Sequence, residues 1–424
     1  MVTVSEKNSR SPWAWIPSLY FAEGLPYALV MSVSLVAYKN LGVPNIQNVF
    51  FVSLLYLPWV IKPLWSPAVD VLRTRRWWTW RMQLVFGMAF AGVALALPAG
   101  HFFQITLALF WLAAFASATH DVAADGFYLL ALPPHDQAWF NGIRTTAYRL
   151  AMILAKGQLV ILAGILAAQS NFSVAWSAVF AFVAGIILIL AVYHRLVLPF
   201  PEKDRPAADK KKFTGEFLKT FVSFFQKPGI GISLLFLLIY RFGEAQLMPM
   251  SQIFFLDPRD KGGLGMSNTE VGWIYNTVGV IALICGGLLG GIVISRRGLK
   301  FWLWPMLLAI HLPDAIFIWL AYAQPRNFFI IGAGVAIEQF GYGFGFAAFM
   351  LYMIYIARGR HATAHYAICT GFMAAGMMLP GLWSGWLQQS LGYRHFFVWV
   401  ILATIPSFLV ATKIPLSPEF GKRN

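Results

Sequence analysis

Two aspartates stand close together in a stretch that otherwise has the composition of a membrane helix, "SATHDVAADGFYLLAL", residues 117–132. Asp121 and Asp125 are four residues apart, so a helix presents both on one face. A charge at the centre of a bilayer costs at least about 2.5–3.5 kcal/mol, and neighbouring carboxylates resist ionising together. The pair therefore predicts a site that exchanges protons. The adjacent His120 fits either a proton relay or plain helix packing.

Further ionisable side chains interrupt the apolar stretches, on every third predicted span. They are Glu23 in span 1, the two aspartates in span 4, Arg241 and Glu244 in span 7, and Glu338 beside Gln339 in span 10. Span 5 adds Arg149 and Lys156, seven residues apart on one helix face. Counting residues from the loop between spans 4 and 5 places Arg149 at the depth of Asp121. This basic face fits either a structural salt bridge or the binding of an anionic substrate.

The elements that position these residues are predicted to be membrane-spanning helices. Of 424 residues, 59% are hydrophobic and 12% are charged, too few polar groups to cover soluble domains. A spanning helix needs about 20 apolar residues. Twelve spans are predicted, at about 13–37, 47–68, 79–99, 102–131, 139–168, 174–198, 228–256, 268–294, 300–322, 327–357, 362–390 and 394–413. The predicted fold class is an all-α polytopic membrane protein with two pseudo-symmetric six-helix halves, without a cleaved signal peptide or disulfides.

The distribution of charge predicts the orientation in the membrane. The net charge is +15, and the Lys and Arg residues concentrate in alternate loops and at both ends. The positive-inside rule places those loops and both termini in the cytoplasm. The charge thus indicates topology and contact with anionic lipids, and it does not predict nucleic-acid binding. The longest basic loop divides the chain into a bundle at 1–198, a cytoplasmic linker at 199–227 and a second bundle at 228–424.

Two cytoplasmic loops at matching positions of the halves resemble each other. They are "WSPAVDVLRTRRWW", residues 65–78, and "GGLLGGIVISRRGLKFW", residues 286–302. Small residues followed by basic ones predict a latch that holds neighbouring helices together and takes part in gating. Its predicted members are Asp70, Arg73, Arg75, Arg76, Arg296 and Arg297. Ser267 and Glu270 have the spacing of a helix capping box.

Several segments resemble the signatures of the AmpG-type muropeptide permeases, a branch of the major facilitator superfamily. They are "FAEGLPYAL", "KPLWSPAVD", "SATHDVAADGF", "AYRLAMILAKG" and "IYRFGEA", spread over most of the chain. The resemblance implies a central cavity lined by spans 1, 4, 7 and 10. It also implies proton-driven import of N-acetylglucosaminyl-anhydro-muramic acid and its peptides across the bacterial inner membrane. His120 and Glu23 depart from the family pattern, which has glutamine and a small residue there.

The site residues expected from the pattern and the resemblance form two sets. The proton-coupling set is Asp125, Asp121, His120 and Glu338. The substrate-binding set is Glu23, Tyr148, Arg149, Lys156, Tyr240, Arg241, Glu244 and Gln339. No cofactor or metal site is predicted, and the expected form is a monomer.

Other functions compete with muropeptide import. Relatives of this branch carry other large polar solutes, so a siderophore or a coenzyme A thioester is an alternative substrate. The D-x-x-x-D spacing of Asp121 and Asp125 also occurs in membrane prenyltransferases, which bind Mg²⁺ and a diphosphate. That chemistry needs a second aspartate-rich motif, and the second half of the sequence contains none. We therefore do not expect an enzyme.

Overall fold

The computed structural model describes residues 10–202, 204–206, 210–359 and 362–421. Within these residues, eleven helical stretches are long and apolar enough to cross a membrane. The first six are Pro12–Asn40, Asn45–Ser66, Arg75–Ala96, Phe102–Ala131, Gly142–Gln169 and Phe172–Val197 (spans 1–6). The next four are Ile230–Leu256, Asn268–Arg297, Leu299–Ala323 and Phe328–Ala357 (spans 7–10). The last stretch is Ala364–Ala411.

This last stretch contains two spans. Its 48 residues would reach about 72 Å as one helix, more than twice the roughly 30 Å of a hydrocarbon core. The backbone leaves the helical conformation at Gly392, where φ is 70°, a value that glycine adopts without the strain other residues incur. Spans 11 and 12 therefore lie on either side of Gly392, and the predicted all-α fold of twelve spans is confirmed.

The chain forms two compact units. The first unit holds Met1–Leu41 and Ile61–Phe217, and the second holds Gly42–Val60 and Leu218–Asn424. Residues 42–60 belong to the second unit because the start of span 2 packs on span 11. Gly381 and Gly385 of span 11 lie against Ser53 and Asn45 with no room for a side chain between them. The division into bundles at 1–198 and 228–424 stays a prediction.

Spans 1, 5 and 8 each contain one wider π-helical turn. These turns are Leu29–Val33, Leu154–Gln158 and Ile274–Val278. Span 1 runs Ile16–Ala28, then its π-turn, then Ser34–Asn40; span 5 runs Pro134–Ile153, its π-turn and Leu159–Gln169; span 8 runs Asn268–Trp273, its π-turn and Gly279–Arg297. The π-turn of span 1 follows Pro26, which cannot donate to the helical ladder. The turns of spans 1 and 5 pack against each other.

Spans 7 and 9 are interrupted in other ways. Span 7 breaks between Ile230–Ile239 and Phe242–Leu256, and span 9 passes through a 3₁₀ turn, Leu312–Asp314, between Leu299–His311 and Ala315–Ala323. The sequence predicts bending at Pro249 and at the glycines of span 10, which stays a prediction, while the break in span 7 lies ahead of Pro249. Pro249 lies inside a continuous helix.

The span 10 glycines allow close packing. Span 10 is one unbroken helix, Phe328–Ala357. A Cβ atom at Gly341, Gly343 or Gly345 would lie 2.0–2.5 Å from the nearest atoms of spans 8 and 9. These glycines therefore bring spans 8 and 9 against span 10, in agreement with the extensive packing among the three.

The remaining helices complete spans 2, 11 and 12, and one more lies in the linker. The segments Asn45–Leu54 and Leu57–Leu72 make up span 2, and Ala362–Leu402 and Ile405–Ala411 make up spans 11 and 12. Lys210–Phe225 is a helix within the predicted linker, and its Phe224 is fully buried in the second unit's core. The capping box predicted at Ser267 and Glu270 is confirmed, because each side chain bonds the other residue's backbone N–H.

Candidate functional site

The two aspartates of span 4 lie in a network of ion pairs in the first unit. Asp121 accepts a hydrogen bond from Lys62 of span 2. Asp125 Oδ1 lies 3.3 Å from Nη1 of Arg144 in span 5. The Tyr20 hydroxyl bridges the second pair, since it donates to Asp125 Oδ1 at 3.0 Å and accepts from Arg144 Nη1 at 3.0 Å. Two neighbouring carboxylates thus have separate cations.

A third carboxylate joins this network. Glu23 is buried, lies beside Asp121 and Asp125, and its Oε2 accepts no hydrogen bond. Among the described residues, three carboxylates therefore face two cations, Lys62 and Arg144. The network therefore contains one more carboxylate than cations, and Glu23 and Asp121 lie close enough to share a proton. The side chain of Asp125 is 46% exposed and that of Asp121 is 22% exposed, so Asp125 is the acid more open to solvent.

Arg149 does not occupy the position that the sequence predicts. The pairing of Arg149 with Asp121 is wrong, because Lys62 holds Asp121 and the cation from span 5 is Arg144. Residue counting along spans 4 and 5 compares only those two helices, whereas span 2 places Lys62 next to Asp121. Arg149 Nη1 is buried and has no hydrogen-bond partner. Lys156 is buried in the π-turn of span 5.

Span 1 approaches span 5 closely beside this network. A Cβ atom at Gly24 would lie 2.8 Å from the carbonyl oxygen of Tyr148 and 3.0 Å from Cβ of Ala151. Glycine at this position lets Glu23 reach the aspartates, and Tyr148 lies near Glu23. The sequence "EGLP" of span 1 therefore combines an acid, a close contact and a helix distortion in four residues.

His120 faces away from the aspartates, into a separate hydrogen-bonded chain. Its Nε2 lies 2.9 Å from Gln83 Nε2, and Gln83 Oε1 lies 2.8 Å from Nδ1 of His194. His194 Nε2 in turn lies 3.0 Å from Ser18 Oγ. The chain links spans 4, 3, 6 and 1, and both histidines are fully buried. An amide donor at His120 Nε2 requires that this nitrogen carry no proton, which suits helix packing.

The second unit holds a different group of acids. Glu244 of span 7, Asp314 of span 9 and Glu338 of span 10 each place a carboxylate oxygen within 4.8 Å of the others. We call these residues the acidic triad. Their exposures are 1%, 1% and 2%. The sequence predicts Glu338 for proton coupling and Glu244 for substrate binding, and it assigns no role to Asp314.

The predicted binding residues around the triad serve partly as packing groups. Arg241 donates to the Tyr342 hydroxyl, and its guanidinium lies 5.0 Å from the ring centroids of Tyr342 and Phe346. Gln339 Nε2 donates to Glu338 Oε2 at 2.9 Å. The buried Tyr240 donates to the carbonyl of Gly345 at 2.9 Å, which fixes its hydroxyl on the backbone of span 10.

A further acid, Asp204, adjoins the predicted latch of the first unit. Asp204 accepts hydrogen bonds from the backbone N–H groups of Arg75, at 2.7 Å, and Arg76, at 3.0 Å. It thereby caps the start of span 3, while Arg76 Nε donates to the carbonyl of Leu198 at 3.1 Å. The side chain of Asp70 lies outside the described part of the chain. The sequence missed Asp204 because it follows the spans in a loop.

Two of the remaining basic latch residues pack on aromatic rings. Arg73 lies 5.9 Å from the Trp77 centroid, and Arg297 lies 5.0 Å from that of Phe301. The side chain of Arg75 lies against Gly126, where a Cβ atom would be 1.9 Å from Nη1. Arg296 is exposed. The gating role of these residues stays a prediction.

Comparison with known proteins identifies the family. The family model described as Major Facilitator Superfamily matches residues 18–379. The chain belongs to the major facilitator superfamily. The Anhydromuropeptide permease of Escherichia coli (strain K12) is 26% identical over 411 residues, with 96% of this chain and 80% of that protein covered. The resemblance to the AmpG-type branch, predicted from the motifs, is thus confirmed, and this superfamily member is a multi-pass membrane protein.

Solved structures of the major facilitator superfamily share the fold at low sequence identity. A bacterial homologue of the human lysosomal transporter Spinster has a TM-score of 0.65 at 15% identity, covering 96% of this chain and 97% of that one. The nucleoside transporter NupG has a TM-score of 0.67 at 14% identity, covering 94% and 98%. Such distant likeness establishes the arrangement of helices, and the site must be argued from this chain's own residues.

Three members of the first-unit network escaped the sequence reasoning. The sequence gives no reason to pair Lys62, Tyr20 or Arg144 with the aspartates. A signal for Lys62 is present, since it opens the "KPLWSP" segment that resembles the family. Arg144 lies near the start of span 5, where the sequence counts it among the basic residues of the cytoplasmic side. In this superfamily fold, both cations reach the acids only through tertiary packing.

Proposed function

We propose that this protein imports N-acetylglucosaminyl-anhydro-muramic acid and its peptides with protons, by alternating access, across the bacterial inner membrane. The proposal includes cytoplasmic termini and a monomeric carrier. Its substrate class comes from the relative named Anhydromuropeptide permease, together with the shared motifs. The observation that carries proton coupling is the network of Glu23, Asp121 and Asp125, where three carboxylates face two cations.

Asp125 is the proposed site of proton exchange. It is the acid of the network most open to solvent, and it shares Tyr20 and Arg144 in one hydrogen-bonded group. Protonation of Asp125 would remove the charge that holds Arg144, and the Tyr20 hydroxyl could then turn to another acceptor. A proton on one residue would thus loosen the contact between spans 1, 4 and 5. Asp121 stays paired with Lys62 through this step.

Arg149 and Lys156 are proposed to bind an anionic group of the substrate, such as a peptide carboxylate. Arg149 Nη1 is a buried donor without a partner, which a bound carboxylate would satisfy. Lys156 lies seven residues further along the same helix in sequence. Roles for Tyr148, Tyr240, Arg241, Glu244 and Gln339 in substrate binding remain predictions.

Uptake into energised membrane vesicles tests the substrate and the coupling together. Radiolabelled anhydro-muropeptide is expected to accumulate, and an uncoupler is expected to abolish the accumulation. A ferric siderophore and a coenzyme A thioester, given to the same vesicles, test the alternative substrates. Accumulation of either one in place of the muropeptide would overturn the assigned substrate, while accumulation that resists the uncoupler would overturn proton coupling.

The variant Asp125→Asn tests the role of the first-unit network in coupling. It keeps the hydrogen bond from Tyr20 but cannot exchange a proton, so uphill uptake should be lost while exchange at equal concentrations persists in part. Asp260→Asn makes the same chemical change in an exposed loop and should transport like the unaltered protein. Normal uphill uptake by Asp125→Asn would remove Asp125 from the coupling step.

The variant Arg149→Gln tests binding of the anionic group. Its affinity for a muropeptide with a free peptide carboxylate should fall more than its affinity for the amidated peptide. Arg326→Gln, in an exposed loop, should leave both affinities unchanged. Equal losses for the two ligands in Arg149→Gln would show that Arg149 supports the structure and does not contact the carboxylate.

A further inference from the structure

The acidic triad lacks the hydrogen-bond donors that the first-unit network has. Both oxygens of Asp314 and the Oε2 atom of Glu244 are buried without a hydrogen-bond partner. Gln339 donates to Glu338, as described above. Buried carboxylates are normally bonded by several donors or paired with cations. An acid such as Asp314, 1% exposed and without a donor, needs another group to satisfy it.

One buried hydroxyl lies close to the triad. Tyr275, in the π-turn of span 8, is 7% exposed and lies near Glu338 and Glu244. Its oxygen accepts a hydrogen bond from Ser251 Oγ at 3.1 Å, and the same Ser251 hydroxyl lies 3.0 Å from the carbonyl oxygen of Met248. Tyr275 thus has a serine partner, and both oxygens of Asp314 still lack a proton donor.

The charges around the triad do not balance when all three acids are ionised. The titratable or charged side chains near it are Arg241, Tyr240, Tyr275, Tyr342 and His311. His311 Nε2 is bonded to Ser407. Among the described residues, Arg241 is the cation beside the triad, and it acts on Glu244. Three negative charges thus face one positive charge, in a site nearly closed to solvent.

Electrostatic repulsion at these distances is large enough to decide the protonation state. Two like charges 4–5 Å apart repel by about 3–4 kcal/mol at an effective dielectric constant of 20. Three carboxylates within 4.8 Å therefore cannot all stay ionised. Two bound protons would leave one carboxylate to balance Arg241 and would give Asp314 hydrogen bonds to its neighbours.

We propose that Glu244, Asp314 and Glu338 form a second proton-binding site, which shares protons among three spans of the second unit. The inference deepens the proposed function, because it rests on proton coupling and adds a site separate from Asp125. Two of its residues lie at irregularities of the backbone. Asp314 is the last residue of the 3₁₀ turn of span 9, and Glu244 follows the break in span 7. At these two places the helices can change direction when the number of bound protons changes.

Infrared difference spectroscopy of the purified, substrate-free full chain in lipid nanodiscs tests the assignment. Protonated carboxyl groups give a C=O stretching band that carboxylates lack and that shifts in D₂O. A buffer change from mildly acidic to mildly alkaline should reveal such a band in the unaltered protein. Asp314→Asn and, separately, Glu338→Gln should each lose part of this band and shift what remains. Glu270→Gln, a surface acid at a helix start, should keep it whole.

Each outcome bears on the proposal in one direction. Partial loss of the band and a shift of the remainder in both triad variants, with their folding checked by thermal unfolding, support the shared-proton site. A band unchanged in both variants overturns it. Removal of the band by added Na⁺ or Ca²⁺ would show that the triad binds a metal cation in place of protons. Failure of muropeptide uptake with the band intact would refute the proposed substrate and leave the triad assignment standing, because no substrate is present in the infrared measurement.

Discussion

Each unit gathers three carboxylates into one group, and the two groups are neutralised in different ways. In the first unit, Lys62 and Arg144 come from neighbouring spans and pair with the aspartates. In the second unit, the acidic triad has one nearby cation, Arg241, and few donors. The first arrangement depends on ion pairs, so it is sensitive to the loss of a partner. The second depends on bound protons, so replacing one acid should not leave a buried charge without its partner.

Removal of Lys62 should have the largest effect on stability. Lys62→Met leaves Asp121 without its cation, and breaking a buried pair typically costs about 3–5 kcal/mol. Thermal unfolding of the purified variant, followed by tryptophan fluorescence, measures the loss. The double variant Lys62→Met with Asp121→Asn should recover most of it, because no unpaired charge remains. A single variant as stable as the unaltered protein would show that the pair is not needed for the fold of the first unit.

Packing beside the two acidic groups should respond unequally to an added methyl group. A Cβ atom at Gly341 would lie 2.2 Å from the carbonyl oxygen of Ala309, whereas one at Gly24 would lie 2.8 Å from that of Tyr148. Overpacking of this kind costs about 1–3 kcal/mol. Gly341→Ala should therefore lower the unfolding temperature more than Gly24→Ala does.

Gly185 of span 6 supplies the matched control for this comparison. A Cβ atom there meets no atom within 4 Å, so Gly185→Ala should be neutral or slightly stabilising. The unfolding temperatures of the three variants can be compared in one detergent. An order reversed between Gly341→Ala and Gly24→Ala would contradict the closer contact of spans 9 and 10.

Replacing an acid with its amide should affect protein stability differently in the two units. Asp314→Asn replaces a carboxyl group that shares the bound protons of the triad with a neutral amide, so no buried charge loses a partner and the variant should match the stability of the unaltered protein to within on the order of 1 kcal/mol. Asp121→Asn alone should be destabilising, because it leaves Lys62 buried without its partner. The two variants are compared by their unfolding temperatures. Destabilisation of similar size in both would show that the triad is held by pairing, as the first-unit network is.

The cap of span 3 should give a smaller change, confined to the first unit. Asp204→Ala removes an acceptor from the N–H groups of Arg75 and Arg76, and the loss of such a cap costs about 0.5–2 kcal/mol. Hydrogen exchange at the first turn of span 3 should accelerate. Glu202→Ala, an exposed neighbour in the same loop, should leave exchange unchanged. Equal exchange in both variants would show that the cap does not hold this turn.

Hydropathy and periodicity predict the spans of this protein well but predict their interruptions poorly. Twelve apolar stretches can be counted because each must cover a bilayer thickness. The break at Arg241 and the three π-turns could not be located, because proline and glycine have several uses in a helix. Pro249 is accommodated without a break, and Gly341 serves packing.

The same distinction holds for the candidate site. The acids could be found from the sequence, since charges in apolar helices are conspicuous. Their partners could not, because pairing depends on which spans are neighbours in the bundle. Arg149 was placed beside Asp121 by depth along two spans, whereas the structure brings Lys62 from a third. Asp314 can be recognised as a candidate site residue only from the structure, where spans 7, 9 and 10 place it next to Glu244 and Glu338.

The π-turn that carries Lys156 has a consequence for relatives of different length. Five residues in a π-turn occupy nearly the same rotation, about 400°, as four residues of an α-helix. Deleting Ala155 would therefore restore a regular helix and leave Leu159–Gln169 facing the same neighbours. A homologue with a one-residue gap inside span 5 can keep the fold and still lose or displace its buried lysine, so under the role proposed for Lys156 such a gap would separate carriers by the ligands they accept.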